Sequence, residues 1–129
     1  MNHSSILLLG SIALDTIETS HGKHEHLLGG SATYAALASS KFLKPKIVGI
    51  VGSDFSKSNL KILEDSCENL EDLQIKEGST FRWGGKYSES GDDRETLFTD
   101  LGVFENFTPN LSSFNKNPDY IFLANISPD

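Results

Sequence analysis

Two adjacent glycines, Gly29 and Gly30, run straight into Ser31-Ala32-Thr33-Tyr34-Ala35-Ala36-Leu37-Ala38, and this junction is where the 129-residue chain is best equipped to hold a ligand. Consecutive glycines let the backbone take φ > 0 and approach a bound molecule, and a helix start offers unpaired N–H groups and partial positive charge. Ser31 or Thr33 can cap that helix, whose alanines let it lie close on a sheet. The same dipeptide also serves in ordinary tight turns. Asp15 is the second group with chemistry to offer. It follows a short apolar run, Ile6-Leu7-Leu8-Leu9, and ligands of open α/β sheets gather beyond the carboxyl ends of such strands. A solvated turn aspartate is the alternative reading. His21, His24 and His26 lie close together, but a hairpin carries His24 and His26 on one face without a further ligand. They read as a polar exposed turn, with no metal site expected.

The elements that must position these groups alternate strand with helix. Ile6–Leu9, ended by Gly10, and Lys46-Ile47-Val48-Gly49-Ile50-Val51-Gly52 are continuous apolar runs, the mark of strands buried on both faces of a parallel sheet. Between them the pattern predicts a helix from about Ser31 to Phe42, stopped before Pro45. Ser53 or Asp54 can cap the next helix, which carries Leu60, Ile62, Leu63 and Cys67 near helical spacing. Leu73–Lys76 is a short strand candidate, Pro109–Phe114 a short helix, and Asp119–Ile126 a third buried strand. Two hairpins interrupt this order, at about 16–28 and 80–99. Each is marginal alone, so they are expected to combine into a small sheet beside a three-layer α/β core. Two substantial helices are too few to cover such a core, and residues 1–129 therefore read as the N-terminal part of one larger domain.

Composition narrows the partners. A formal charge of −7 argues against nucleic acid or an anionic membrane surface, either of which attracts a basic face. Cys67 is the single cysteine and reads as a small core residue. The start lacks the basic flank of a secretory signal, and Ile6–Leu9 is too short to span a bilayer, so a cytoplasmic protein is expected.

Leu9-Gly10-Ser11-Ile12-Ala13-Leu14-Asp15, then Gly29-Gly30 with its helix, then Val48-Gly49-Ile50-Val51-Gly52-Ser53-Asp54-Phe55, resembles in content and order the N-terminal half of the ribokinase-like (PfkB) carbohydrate and nucleoside kinases. Thr80–Trp83 through Tyr87, Asp93–Leu97, and Phe122-Leu123-Ala124-Asn125-Ile126 resemble a bacterial branch of sugar kinases. The resemblance implies an α/β fold with a three-layer, mainly parallel and incomplete core and a small β-sheet lid. It further implies an ATP- and Mg2+-dependent kinase acting on a hydroxyl of a sugar or nucleoside, with a possible homodimer through the lid. Asp15, Gly29, Gly30, Tyr34 and Asn125 then fall at acceptor-binding positions and Arg82 and Trp83 on the lid. Many relatives carry Gly-Gly-Lys-Gly-Ala-Asn, so Tyr34 stands where an Asn binds a hydroxyl, and Ala13 where ribokinases often have Asn. These departures weigh against ribose itself as the acceptor. Tyr34, one turn into the helix, faces either the ligand or the core. The Gly-Ala-Gly-Asp segment that supplies the base and the anion hole is absent from this sequence, as are a Gly-x-x-x-x-Gly-Lys-Ser/Thr loop and a strand-linked Gly-x-Gly-x-x-Gly. No catalytic residue and no ATP site are therefore expected in these 129 residues. The competing expectation is a non-catalytic α/β module that binds a small polyol or a partner chain.

Overall fold

The computed structural model describes residues 4–128, Phe114 by its backbone alone. The larger sheet is built around β1 (Ile6–Leu9). β4 (Lys46–Gly52) and β5 (Leu73–Lys76) follow on one side and β8 (Tyr120–Leu123) lies on the other, in the order β5-β4-β1-β8. Every pair is parallel. The crossovers from β1 to β4 and from β4 to β5 run through α1 (Ser31–Ser39) and α2 (Lys57–Ser66), and two right-handed steps in one direction put both helices on one face, where they touch. Leu8, Ile12, Ala32, Ala36, Ile47, Val51, Leu63 and Cys67 fill the space between them as one buried cluster. Burial pushes the Cys67 thiol up to about 11, which leaves it unreactive as a small core residue.

The second sheet has the order β3-β2-β6-β7, from β2 (Ala13–Thr19), β3 (Gly22–Gly29), β6 (Phe81–Tyr87) and β7 (Arg94–Asp100). Its two hairpins are joined through the parallel pair β2–β6. The strands reach past the expected boundaries, and Asp15 and Gly29 lie inside them. A bulge interrupts β2–β3: Asp15 pairs with Leu27 but Ile17 with His24, and His26 takes a φ of 57°. The extra residue breaks the alternation, so His24 and His26 are not carried on one face as simple pairing predicts.

Other departures have local causes. α1 ends at Ser39 rather than near Phe42, because the Ser39 and Ser40 hydroxyls donate to the Leu43 and Leu37 carbonyls and close the last turn. Its N-cap is Gly30, and neither Ser31 nor Thr33 caps it. α2 is capped by Ser56, whose Oγ accepts from the Asn59 amide at 3.1 Å, not by Ser53 or Asp54. Both of those are committed to the joint with the second sheet described below. Only a 3₁₀ turn, Ser113–Asn115, forms in the 109–115 stretch. There the Asp72 carboxylate takes the Ser112 amide at 2.8 Å and the Asn115 side chain at 2.6 Å, and these bonds displace a regular helix. The third strand is Tyr120–Leu123, four residues instead of eight.

Candidate acceptor site

The end of β1, the start of α1 and the end of β8 are tied together by two serines. Ser31 Oγ accepts from the Ser11 amide at 3.2 Å and the Asn125 amide at 3.1 Å and lies 3.0 Å from Ser11 Oγ. In return the Ser31 amide donates to Ser11 Oγ at 3.0 Å and the Ala32 amide to the Ser11 carbonyl at 2.8 Å. The first amides of α1 are thus satisfied within the chain. Gly30 makes the junction possible: it sits at φ +97°, and a Cβ there would fall 2.8 Å from the Ala13 amide and closer still to the Ser11 carbonyl oxygen.

Asp15 lies beside this junction on β2. Its carboxylate covers Gly29, where any Cβ would collide with Oδ2. It is half-buried, and among the described residues it has no hydrogen-bond or ion-pair partner. Burial raises its pKa above the ordinary carboxylate value. A partly desolvated carboxylate with its lone pairs unused is a ready acceptor for ligand hydroxyls.

Paired residues share a sheet face, so Ala13, Asp15, Phe81, Trp83 and Thr99 lie together on one side of the second sheet. That side meets a cavity of about 830 Å3 whose lining includes Ser11 and Asn125 from the strand ends, Phe81 and Thr99 from the second sheet, and Phe104 and Phe107 from the segment after β7. Phe81 and Phe104 meet edge to face at 5.5 Å, and Phe104 and Phe107 stack at 6.1 Å. The Trp83 ring crosses Gly85, with the Arg94 guanidinium 5.2 Å above it.

Arg82 lies on the opposite face from Trp83, as strand alternation requires. Its guanidinium pairs with Asp54 at 3.0 Å, while Asp54 also accepts from the Thr80 amide at 2.9 Å and hydroxyl at 2.6 Å. Desolvation pushes the Asp54 carboxyl up, but the Thr80 hydroxyl and amide and the Arg82 guanidinium outweigh it and hold the pKa below its ordinary value. Thr80 Oγ1 also accepts from the Gly52 amide at 2.9 Å, and the Ser53 amide donates to the Gly78 carbonyl at 3.0 Å. Here the second sheet is fastened to the end of β4. Tyr34 lies outside the cavity lining, 59% exposed on α1.

Of the residues singled out in the sequence, the structure gathers Asp15, Gly29 and Gly30 at one junction, with Asn125 bonded to it through Ser31. It sets Arg82 and Tyr34 apart from them. Phe104 and Phe107 are not legible as site residues in the sequence because they belong to no strand or regular helix. Their three-residue spacing in a short loop is the available signal.

Neither a family model nor a curated protein matches this sequence. Solved structures do match. The ribokinase of Cryptococcus neoformans var. grubii serotype A, in complex with ADP, aligns with a TM-score of 0.77 at 18% identity, over 95% of this chain and 41% of that one. The nucleoside kinase of Methanocaldococcus jannaschii gives 0.69 at 17%, over 95% and 45%. That of Burkholderia thailandensis in complex with inosine gives 0.64 at 15%, over 78% and 38%. The fold is therefore ribokinase-like: a parallel α/β sheet with a second small sheet. The chain spans less than half the length of each of these kinases and carries part of their fold.

Proposed function

We propose that this chain is the acceptor-binding part of a cytoplasmic kinase of the ribokinase type, which phosphorylates a hydroxyl of a sugar or nucleoside with ATP and Mg2+. The observation that carries the reading is the half-buried Asp15 carboxylate above Gly29, without a partner among the described residues and on the face that meets the cavity. Asp15 accepts hydrogen bonds from acceptor hydroxyls and fixes their orientation, with Asn125 and the Gly29-Gly30 backbone beside it. The second sheet, carrying Trp83 and Arg82, acts as a lid that excludes water from the site. Two such lids can pair in a homodimer, for which Leu97 and Phe98, 43% and 42% exposed on β7, supply apolar area.

The described residues do not fit the nucleotide or its metal. The first α1 amides are taken by Ser11, and no cluster of three His, Cys, Asp or Glu side chains capable of holding a metal ion occurs among the described residues. In this reading the base and the phosphate cradle come from the remainder of the kinase fold. A non-catalytic polyol-binding module is the second reading, favoured by the same occupied helix start. No helix among the described residues is long and apolar enough to cross a membrane.

The test is binding to this chain of a panel of pentoses, hexoses and nucleosides, measured by calorimetry. Each hydrogen bond to a charged group contributes about 1.5–3 kcal/mol, so Asp15→Asn should weaken the bound acceptor by roughly tenfold or more. Unchanged affinity in Asp15→Asn would remove Asp15 from the site.

A further inference from the structure

Resting on the reading of this face as an acceptor site, we propose that the cavity selects acceptors carrying a flat aromatic group, nucleosides in chemical class, over free sugars and sugar phosphates. A volume of about 830 Å3 falls among sites that enclose drug-sized molecules, roughly 300–1,000 Å3, and exceeds what a monosaccharide fills. One wall is aromatic: Phe81, Phe104 and Phe107 form a corner of mutually perpendicular and stacked rings, supplied by β6 and the segment after β7. Such a corner offers both a ring face for stacking and ring edges, the surfaces that aromatic heterocycles prefer. Asn106, between Phe104 and Phe107 in the lining, brings an amide group able to bond the polar edge of a base.

The placement of Asp15 supports the same acceptor. Phe81 is paired with Ala13, and Asp15 lies two residues along β2 on the same face, a diagonal neighbour about 7–8 Å away across the two strands. That separation matches the span from the hydroxyl edge of a ribosyl group to the base attached to it. Charge excludes the main competitor. Among the described residues Glu105 is the only charged one in the lining, so a phosphorylated sugar meets an acidic group and no cation.

Inosine, D-ribose, hypoxanthine and ribose 5-phosphate, titrated against this chain by calorimetry with Trp83 fluorescence as a second readout, decide the matter. Inosine is expected to bind at least tenfold more tightly than ribose, and ribose 5-phosphate no better than ribose. Phe107→Leu should remove the preference for inosine over ribose, while Phe107→Tyr keeps it. Equal affinities for ribose and inosine, both lost in Asp15→Asn, would overturn the aromatic selection and leave the acceptor reading standing. Hypoxanthine binding as tightly as inosine and indifferent to Asp15→Asn would keep the aromatic subsite and remove the acceptor reading. Binding of none of the four would overturn both. The comparison in the unmodified chain holds whether or not Phe107→Leu folds.

Discussion

A methyl group added at Gly29 and one added at Gly30 should have opposite consequences, although the two glycines form one motif in the sequence. At Gly29 the obstacle is the Asp15 carboxylate, a side chain that can swing away. Gly29→Ala is therefore expected to fold, with a melting temperature close to that of the parent, and to lose acceptor affinity at least tenfold. At Gly30 the obstacles are the Ser11 carbonyl and the Ala13 amide, and the backbone sits at φ +97°. Gly30→Ala adds strain of roughly 1–3 kcal/mol before any collision, so thermal unfolding should show a marked loss of stability. Equal melting temperatures would contradict this division. Asp15 itself lowers stability once it is ionised. Its pKa is raised in the folded state, so the folded protein holds that proton more tightly than the unfolded chain, and ionisation above the raised value is destabilising. Asp15→Asn should raise the melting temperature at pH 7, and the gain should shrink as pH falls through the raised value toward 3.8, the unfolded value. The gathering of these three residues at one junction is legible in the sequence because residue type alone singles them out: glycine for backbone approach, a lone carboxylate beyond a buried strand. Phe104 and Phe107 are not, since the contact of Phe104 with Phe81, onto which Phe107 stacks through Phe104, exists only once the second sheet is folded.

The joint between the sheets rests on Asp54, Thr80 and Arg82, and the sequence misleads there for a physical reason. Ser53 and Asp54 precede a helical pattern, and either has the right chemistry for a cap, but Ser56 stands closer to the helix start. The earlier pair is drawn instead to the chain crossing at 78–80. A cap and a tertiary acceptor look alike until the partner strand is placed. The bulge at His26 is of the same kind, because it depends on the register of β2 against β3. Asp54→Ala removes one acceptor from the buried Thr80 hydroxyl and the partner of Arg82, and should destabilise the chain by about 1–3 kcal/mol. Because the Asp54 pKa is lowered in the folded state, its contribution is complete above 3.8 and fades as pH drops below that value toward the folded pKa. The difference in melting temperature between Asp54→Ala and its parent should therefore narrow in acid. A constant difference from pH 7 to pH 3 would show that the pairing of charges adds nothing.

At the scale of the whole molecule, the apolar runs of β1, β4 and β8 specify a parallel sheet, since strands buried on both faces need apolar residues throughout. That rule is met by β1 and β4 and left unmet by β8. Tyr120, Ile121, Phe122 and Leu123 are 62%, 61%, 48% and 68% exposed, and β8 pairs with β1 on one side and with nothing on the other among the described residues. Such an edge carries no proline or inward charge to discourage pairing, and it lies ready to add a strand. Association of this chain is opposed by its net charge of −7, which salt screens. Sedimentation should therefore show concentration-dependent association that strengthens between low and moderate ionic strength. Ile121 and Leu123 share one face of the strand, so Ile121→Lys with Leu123→Lys places two charges on that face and should return the chain to a monomer without changing its circular dichroism. A parent that stays monomeric at high concentration and moderate salt would mean that the β8 edge is protected by something other than a pairing strand.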